Sequence, residues 1–265
     1  MTSDQDEIIS DFLSSIGPWN KHIIIGGGYA PIIYRLYLTD QKSGNPPVGT
    51  QDIDSLIPRK IPETPQKNIS KYLLEAGFKH VFRNHDHPPV EAYVKEINNL
   101  EIEIEFLTHS DVRKNKNKNV LIGGVVAQPL SYLTLSLEKT IQFQTHSGKA
   151  GMVVSPAAWM FHKGLTFPKR KSKSKMHKDL YGIWYVATQL ENFSEKSIIE
   201  FNFLSLNYPK WFKTFQKNMR DWTENAAPIE WHRLETQDPF GKLTRLNFER
   251  IIKRLVDEAQ NLSIL

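Results

Sequence analysis

Apolar residues are spaced differently in the two parts of the chain, and this difference limits the folds that the chain can adopt. In the first part, apolar and polar residues alternate along short segments such as 51–57 and 100–107, which is typical of strands with one buried face. After Pro156 the apolar residues recur at helical spacing over 156–167, 177–190, 197–206, 209–223 and 246–259. The sequence therefore predicts an α+β fold, with a mixed sheet flanked by helices in residues 1–152 and a helical domain in residues 153–265.

The first domain shows a defined order of predicted elements. Ile8, Phe12 and Ile16 indicate an amphipathic helix, and a β-branched run at 22–25 leads through three glycines at 26–28 into a helix over 29–38. A loop rich in Gly and Pro then separates this unit from a strand at 51–57 and a helix at 67–76. Further strands are predicted at 78–82, 90–97, 100–107, 120–127, 131–137 and 139–145.

The composition restricts both the chemistry and the location of the protein. The 265 residues include no cysteine, which excludes disulfides, thiolate zinc sites and cysteine nucleophiles. The acidic start at residues 1–7 lacks the pattern of a secretory signal, and no apolar run is long enough to cross a membrane. We therefore expect a cytoplasmic protein that does not contact a membrane and whose chemistry depends on carboxylates, histidines, hydroxyls or lysines.

The positive charge is concentrated in two runs. The formal net charge is +5, and the densest cationic segments are 113–118 and 169–178. Such runs are typical of surfaces that bind phosphate-bearing partners, but they also occur in solvated loops that bind nothing. Both interpretations stay open from the charge alone.

Two aspartates on one predicted strand are the first catalytic candidates. Side chains at positions i and i+2 of a strand point to the same face, so Asp52 and Asp54 project together. Mg²⁺ prefers oxygen ligands and is often held by one or two carboxylates together with substrate phosphates. An isolated Asp-x-Asp is also common in turns, so the order of the surrounding elements has to support the assignment.

A later strand supplies a third carboxylate. Residues 100–106 alternate strictly, which places Glu101, Glu103 and Glu105 on one face and the apolar residues on the other. We predict that Glu105 joins Asp52 and Asp54 at the metal, whereas Glu101 and Glu103 keep an exposed strand soluble. The glycines at 26–28 would allow phosphate oxygens to approach backbone N–H groups at the start of a helix.

Three short motifs, in this order, resemble those of a known superfamily. IGGGYA at 25–30, TQDID at 50–54 and EIEFLT at 103–108 look like the Gly-Gly, Asp-x-Asp and third-carboxylate motifs of DNA polymerase β-like nucleotidyltransferases. The chain is more narrowly similar to the bacterial AbiEii-like branch, which includes toxins of toxin–antitoxin systems. In that branch a Pro followed by a Lys begins the helical region, and a basic stretch ends in Lys-Asp. Residues 155–163 and 170–179 stand in the matching order.

The resemblance implies a nucleotidyltransferase-type fold and a set of site residues. Gly26 and Gly27 would lie under the triphosphate of a nucleoside triphosphate. Mg²⁺ or Mn²⁺ would be bound by the carboxylates Asp52, Asp54 and Glu105. Lys163 and Lys178 of the helical domain would contact phosphates, and Asp179 would belong to the same nucleotide-binding set. The implied partners are the nucleotide, tRNA or other RNA as acceptor, and a cognate antitoxin protein.

The chain departs from the resemblance at two places. The segment between Gly27 and Asp52 is longer than the motifs imply, because of the Pro- and Gly-containing loop at 43–49. Gly182 stands where the branch often has a second aspartate. The first departure is an insertion in a loop, and the second removes a carboxylate from the helical region.

Other signals suggest different functions. His85, Asp86 and His87, with His80 and His109, suggest a zinc site, although a loop with two prolines must then supply ligands without cysteine. No Gly-x-Ser-x-Gly elbow is present, and the glycine run has neither the P-loop nor the Rossmann spacing. Most aromatic residues of the helical domain are expected in its core rather than stacked on bases; they include Trp184, Trp211, Phe212, Phe215, Trp222 and Trp231.

The motifs together predict transfer of a nucleoside monophosphate from a nucleoside triphosphate to an acceptor hydroxyl. The acceptor is RNA, a protein or a small molecule, and RNA is suggested by the resemblance and by the cations of 169–175. These cations are Lys169, Arg170, Lys171, Lys173 and Lys175. The alternatives are a catalytically silent regulator of the same fold that binds nucleotide or nucleic acid, and an interaction protein whose carboxylates are incidental.

Overall fold

In a computed structural model, the protein is described over residues 2–39, 45–63, 65–83, 90–110 and 118–257. The chain divides into two compact units. The first unit contains the described residues of 1–37 and 49–154, and the second contains those of 38–48 and 155–265. No helix in the described ranges has the length and apolar character needed to cross a membrane.

The first unit contains a large sheet and short helices. Its helices are α1 (Thr2–Ser15), α2 (Tyr29–Ile33), which continues as a π-helical turn over Tyr34–Leu38, α3 (Ile69–Glu75) and α4 (Leu133–Glu138), with a 3₁₀ turn at Gly17–Lys21. Its strands are β1 (Ile24–Ile25), β2 (Asp52–Leu56), β3 (Lys79–Phe82), β4 (Glu91–Ile97), β5 (Leu100–His109), β6 (Val120–Ile122), β7 (Val125–Leu130), β8 (Thr140–Gln144) and β9 (Ala150–Val154).

The sheet is mixed, and β5 lies near its centre. The strand order is β3-β4-β5-β2-β1-β9-β8, and β6 pairs with β7 beside this path. β2 runs parallel to β5 along one edge of β5. The other edge of β5 pairs first with antiparallel β4 and then with parallel β7. The two strands with the predicted carboxylates are therefore direct neighbours.

The alternation along β2 and β5 explains why these segments form strands with two different faces. Ile53, Ile102 and Ile104 are buried on one face, whereas the acidic residues between them are at least partly exposed. Burial of the isoleucines fixes which face each strand turns to the core, because a shift of one residue would exchange the two faces. The apolar residues thus set the orientation of the carboxylates.

The second unit is helical. Its helices are α5 (Pro156–Thr166), α6 (Lys173–Thr188), α7 (Asn192–Asn207), α8 (Pro209–Asn225), α9 (Pro228–Glu235) and α10 (Arg245–Asp257), with a 3₁₀ turn at Phe167–Lys169. Aromatic rings from different helices form its core. Phe161 contacts Phe201 and Phe215 with ring centroids 5.4 and 5.6 Å apart, and Trp222 contacts Trp231 at 4.6 Å. The structure confirms the α+β class and the helical second part.

Two sequence predictions in the first unit are wrong, and one of its strands was not predicted. The predicted strand at 131–137 is instead helix α4, which begins after Tyr132 adopts a left-handed φ of 64° and buries Leu133 and Leu135. The predicted single strand at 120–127 is a hairpin, because Gly123 and Gly124 have positive φ and form its turn. Strand β9 (Ala150–Val154) was not among the predicted strands.

Candidate functional site

The pairing of β2 with β5 places the predicted carboxylates side by side. In the parallel register, Asp54 lies opposite Glu105 and Asp52 lies opposite Glu103. All four residues are on the same face, because they alternate with buried isoleucines. Asp52 is exposed and Asp54 and Glu105 are half-buried, so their oxygens border both the protein and solvent. The predicted set of Asp52, Asp54 and Glu105 therefore lies on one surface.

The glycine turn lies against Asp54. The Gly26 N–H donates a hydrogen bond of 2.8 Å to the backbone oxygen of Asp54. Gly27 has a φ of +54°, and a Cβ atom at this residue would lie 1.7 Å from Asp54 Oδ2. Gly27 therefore has to be glycine for two reasons, a left-handed backbone and a close approach to the carboxylate. The turn brings backbone and carboxylate together at one edge of the acidic face.

Asp52 also affects a buried tyrosine at the start of α2. Tyr29 is buried, and this burial together with the charge of Asp52 raises the pKa of the Tyr29 hydroxyl above its ordinary value. The Asp52 N–H donates to Thr50 Oγ1 at 3.4 Å. A Cβ atom at Gly28 would lie 2.7 Å from Thr50 Cγ2, so the glycine turn also packs closely on the residue before β2. The turn, β2 and the start of α2 thus form one closely packed corner.

An arginine that sequence reasoning missed contacts this acidic face. Arg83 follows β3 and donates two hydrogen bonds to Glu103, from Nε to Oε1 at 3.2 Å and from a terminal nitrogen to Oε2. The Arg83 N–H donates to Val90 O at 2.8 Å, which continues the pairing of β3 with β4 by one residue. In the sequence Arg83 stands in a predicted loop 20 residues before Glu103, and no spacing pattern connects them.

The donor set suits a hard divalent cation that substrate helps to hold. Among the described residues, no group of three or more His, Asp or Glu side chains could hold a metal ion. Mg²⁺ and Mn²⁺ do not require one, because they accept carboxylate oxygens together with waters and substrate phosphates. Asp54 and Glu105, which are paired across β2 and β5, supply this type of ligand, and Asp52 lies two residues before Asp54 on the same face. The missing Cβ atom at Gly27 lets the Asp54 carboxylate lie directly against the backbone of the glycine turn.

The second unit contains a compact ion cluster that includes two of the predicted residues. Asp179 of α6 accepts hydrogen bonds from Lys163 Nζ and from Arg170 Nε, both at 2.6 Å. Asp179 is 6% exposed. Burial alone would raise the pKa of its carboxyl, but the charges of Lys163 and Arg170 outweigh this effect and hold that pKa below its ordinary value. Asp179 thus fixes two cations, and Lys178 is its half-buried neighbour on the same helix.

The predicted cationic loop is shorter in the structure than in the sequence analysis. Lys169 ends a 3₁₀ turn, and α6 begins at Lys173 with Ser172 as its N-cap. Lys173 and Lys175 therefore belong to the first turn of a helix, and Lys173 Nζ lies 3.7 Å from Glu230. All five cations of the segment are exposed, although Arg170 is also bound to Asp179.

Gly182 allows the close packing of α5 on α6. A Cβ atom at Gly182 would lie 2.4 Å from Cη2 of Trp159, which is buried. The indole ring therefore occupies the space that an aspartate side chain would need. The departure from the motif at this position is accompanied by a tryptophan that fills the gap.

Two further predictions can be compared with the structure. His85, Asp86 and His87 lie outside the described residues, and His80 Nε2 lies 2.6 Å from Glu91 Oε2. The expectation that most aromatic residues of the second unit are core is confirmed, since Trp184, Phe212, Phe215 and Trp231 are buried. Trp211 and Trp222 are half-buried, and the Trp211 ring stacks on Tyr208 with centroids 5.2 Å apart.

Comparisons with known proteins indicate which family has these features. A family model described as nucleotidyltransferase matches residues 6–200. Among solved structures, an antigenic nucleotidyltransferase-like protein from Paracoccidioides brasiliensis is similar, with 15% sequence identity and a TM-score of 0.43, over 81% of this chain and 93% of that chain. No curated protein matches the sequence.

The family match covers most of the chain. Residues 6–200 include the glycine turn, the acidic strands β2 and β5, and the ion cluster around Asp179. The chain belongs to the nucleotidyltransferase family.

Proposed function

We propose that this protein is a metal-dependent nucleotidyltransferase that moves a nucleoside monophosphate from a nucleoside triphosphate to an acceptor hydroxyl. The observation that carries the proposal is the register of β2 and β5, which puts Asp54 beside Glu105 and next to the glycine turn. Family membership supports the reaction class. The acidic face and the close backbone approach support a triphosphate–metal complex as the ligand.

The reaction is an in-line substitution at the α-phosphorus. The acceptor oxygen forms a bond to the α-phosphorus, the bond from phosphorus to the bridging oxygen breaks, and pyrophosphate leaves. The acceptor proton passes to solvent. Bound Mg²⁺ or Mn²⁺ would neutralise charge on the phosphates and lower the pKa of the acceptor hydroxyl.

The residues of the first unit hold and orient the reactants in this proposal. Asp52, Asp54 and Glu105, which share one face of β2 and β5, would provide the carboxylate oxygens that hold the ions. Gly26 and Gly27 lie under the triphosphate in this proposal, and the missing Cβ atom at Gly27 lets the Asp54 carboxylate lie directly against the backbone of the turn. The negative charges repel each other, but the buried isoleucines between the carboxylates fix which face each strand turns to solvent.

The second unit contributes cations that bind phosphate in this proposal. By the resemblance, Lys163 and Lys178 would contact phosphates. Asp179 has a positioning role, because its buried carboxylate holds the Lys163 ammonium at 2.6 Å. An immobilised ammonium loses less side-chain entropy when it binds a phosphate than a flexible one does.

We propose RNA, with tRNA as the first candidate, as the acceptor, as in the AbiEii-like branch. The support is the exposed cationic segment of Lys169, Arg170, Lys171, Lys173 and Lys175. Such a cluster attracts a polyanion through release of counterions. A cognate antitoxin protein belongs to the same proposal.

The test is incorporation of label from the four α-³²P nucleoside triphosphates into tRNA, total RNA, protein or small acceptors, with Mg²⁺ or with EDTA. The proposal expects label to appear in one acceptor class, to need the metal and to be absent with γ-labelled nucleotide. Metal-independent labelling, or no labelling of any acceptor, contradicts it.

A catalytically silent regulator is the second candidate, and Gly182 is the observation that favours it. The branch often has an aspartate at this position, and here Trp159 occupies its space. Such a protein would bind nucleotide or nucleic acid without transfer. Calorimetric nucleotide binding with no labelled product would support this candidate over the enzyme.

A further inference from the structure

The acidic face contains two Asp–Glu pairs, and this raises the question of which pair receives the metal. The parallel register places Asp54 beside Glu105 and, two residues earlier on both strands, Asp52 beside Glu103. Both pairs consist of the same residue types on the same face. Residue type and strand geometry alone therefore do not decide between Glu103 and Glu105 as the third ligand.

The two Asp–Glu pairs differ because Arg83 binds Glu103 in one of them. Its guanidinium donates to both oxygens of that carboxylate, through Nε at 3.2 Å and through a terminal nitrogen. A planar guanidinium matches a carboxylate in this two-bond geometry better than a lysine ammonium does. A cation that bound Glu103 would have to displace Arg83 or lie close to its positive charge.

The position of Arg83 is set by the backbone. Its N–H bond to Val90 O extends the β3–β4 ladder, and β4 in turn pairs with β5 at Val94 and Glu103. The Glu103 side chain is 20% exposed, and that of Arg83 is 43% exposed. The ion pair is thus anchored by paired strands on one side and open to solvent on the other.

We infer that Arg83 is a positioning residue that keeps Glu103 out of metal coordination and so directs the ions to Asp52, Asp54 and Glu105. This inference rests on the proposed function. Without Arg83, the pair Asp52–Glu103 becomes a competing site in which a divalent cation binds at the wrong place. Asp52 would then be shared between two arrangements, only one of which supports transfer.

Variants that separate a specific effect of Glu103 from a general effect of charge test this inference. The set is Arg83→Ala, Glu103→Gln, Arg83→Ala with Glu103→Gln, and Arg83→Ala with Glu101→Gln. The two double variants have the same formal charge, and Glu101 lies on the same strand face two residues before Glu103. Lys67→Ala, which removes a cation from an exposed ion pair in the same unit, is the control for loss of a surface charge.

Two quantities are measured for each variant: Mn²⁺ binding by electron paramagnetic resonance, with and without a non-hydrolysable nucleoside triphosphate, and the rate of transfer. Arg83→Ala is expected to bind Mn²⁺ more tightly without nucleotide and to transfer about tenfold more slowly, a typical effect for a residue that orients ligands. Adding Glu103→Gln should restore both wild-type values. Adding Glu101→Gln should not restore the rate.

Four outcomes would count against the inference or against the proposed function. Unchanged Mn²⁺ binding and rate in Arg83→Ala overturn the inference, and so does equal recovery in both double variants. A rate that stays low when Glu103→Gln is added also overturns it, because Arg83 would then act on substrate itself. Wild-type protein that binds neither Mn²⁺ nor nucleotide contradicts the proposed function instead. If Arg83→Ala does not fold, Arg83→Met retains the packing of the stem and gives the same comparison.

Discussion

The two units place charged residues in opposite ways. In the first unit, carboxylates of the same sign lie side by side on β2 and β5, and the strand register holds them there. In the second unit, Asp179 is buried between Lys163 and Arg170, and opposite charges hold one another. The neighbouring carboxylates of β2 and β5 therefore repel each other in the folded state. In the ion cluster, by contrast, Lys163 and Arg170 reduce the cost of burying the Asp179 carboxylate.

This difference predicts which substitutions affect activity and which affect stability. Removing a carboxylate from the acidic face relieves repulsion, so the fold should tolerate it while metal binding is lost. Removing Asp179 leaves two cations without their shared partner, so the second unit should lose stability.

The largest expected effect is on activity, in Asp54→Ala. Transfer should fall by roughly a thousandfold, equivalent to about 4 kcal/mol of transition-state stabilisation. The reason is that Asp54 both pairs with Glu105 and lies against the glycine turn. The free energy of unfolding should change by less than about 0.5 kcal/mol. Transfer rates and urea unfolding are measured on the same preparation, with Glu101→Gln as the control on the same face. Near wild-type transfer with Mg²⁺ contradicts the assignment of Asp54.

Asp179→Asn should have the largest effect on stability. Breaking a buried ion pair from one side costs about 3 kcal/mol, and Asp179 has two cationic partners. Because the pKa of Asp179 is lowered in the folded protein, its contribution is present above its unfolded pKa and is lost as pH falls through the folded pKa. The difference between wild type and variant in urea unfolding should therefore be large at pH 7 and shrink below about pH 4. If the difference in unfolding free energy stays constant from pH 7 to pH 3, the ion cluster is not its cause.

Gly27→Ala tests the backbone side of the acidic face, and Gly77→Ala is its matched control. Both glycines have positive φ. A Cβ atom at Gly77 would have no other atom within 4 Å, whereas a Cβ atom at Gly27 would lie 1.7 Å from Asp54 Oδ2. The left-handed backbone should cost each variant about 1–2 kcal/mol of stability, and Gly27→Ala should lose more because its Cβ atom overlaps Asp54. Only Gly27→Ala should also slow transfer, by about thirtyfold, since it moves Asp54. Equal transfer rates in the two variants would show that the close approach has no role in the reaction.

The smallest expected effect concerns RNA and the exposed cations of the second unit. Replacing Lys171, Lys173 and Lys175 by Gln should reduce the slope of log affinity against log salt by between about 2 and 3, corresponding to three phosphate contacts. The control replaces Lys210, Lys213 and Lys217, three exposed lysines on α8 of the same unit. Binding of tRNA is measured across a salt series. Equal slopes in both triple variants, or no tRNA binding at low salt, would exclude this segment as the RNA contact.

The sequence was sufficient for the parts of the site that depend on strand periodicity. The alternation in β2 and β5 predicts that Asp52 and Asp54 share a face and that Glu105 points away from the buried isoleucines. The order of the glycine turn and the two acidic strands was enough to suggest the family. These features are local, so a period of two residues and a turn signal determine them.

Features that depend on tertiary contacts could not be predicted. Arg83 and Glu103 meet because β3, β4 and β5 pair in a particular register, and Arg170, which follows a 3₁₀ turn, meets Asp179 in α6. Helix α4 was predicted as a strand because Leu133, Leu135 and Leu137 alternate, and six residues are too few to distinguish the two periods. The two ion pairs depend on a partner from another element, and the start of helix α4 depends on one backbone angle, that of Tyr132.

The most direct test of the account is the position of a bound divalent cation. Crystals of the wild-type protein with Mn²⁺ and a non-hydrolysable nucleoside triphosphate would reveal this position by anomalous diffraction. The account predicts a Mn²⁺ peak about 2.1 Å from oxygens of Asp54 and Glu105, bridged to the triphosphate, with Glu103 still bound to Arg83. A peak coordinated by Glu103 instead of Glu105, or a nucleotide bound away from the glycine turn, would contradict it.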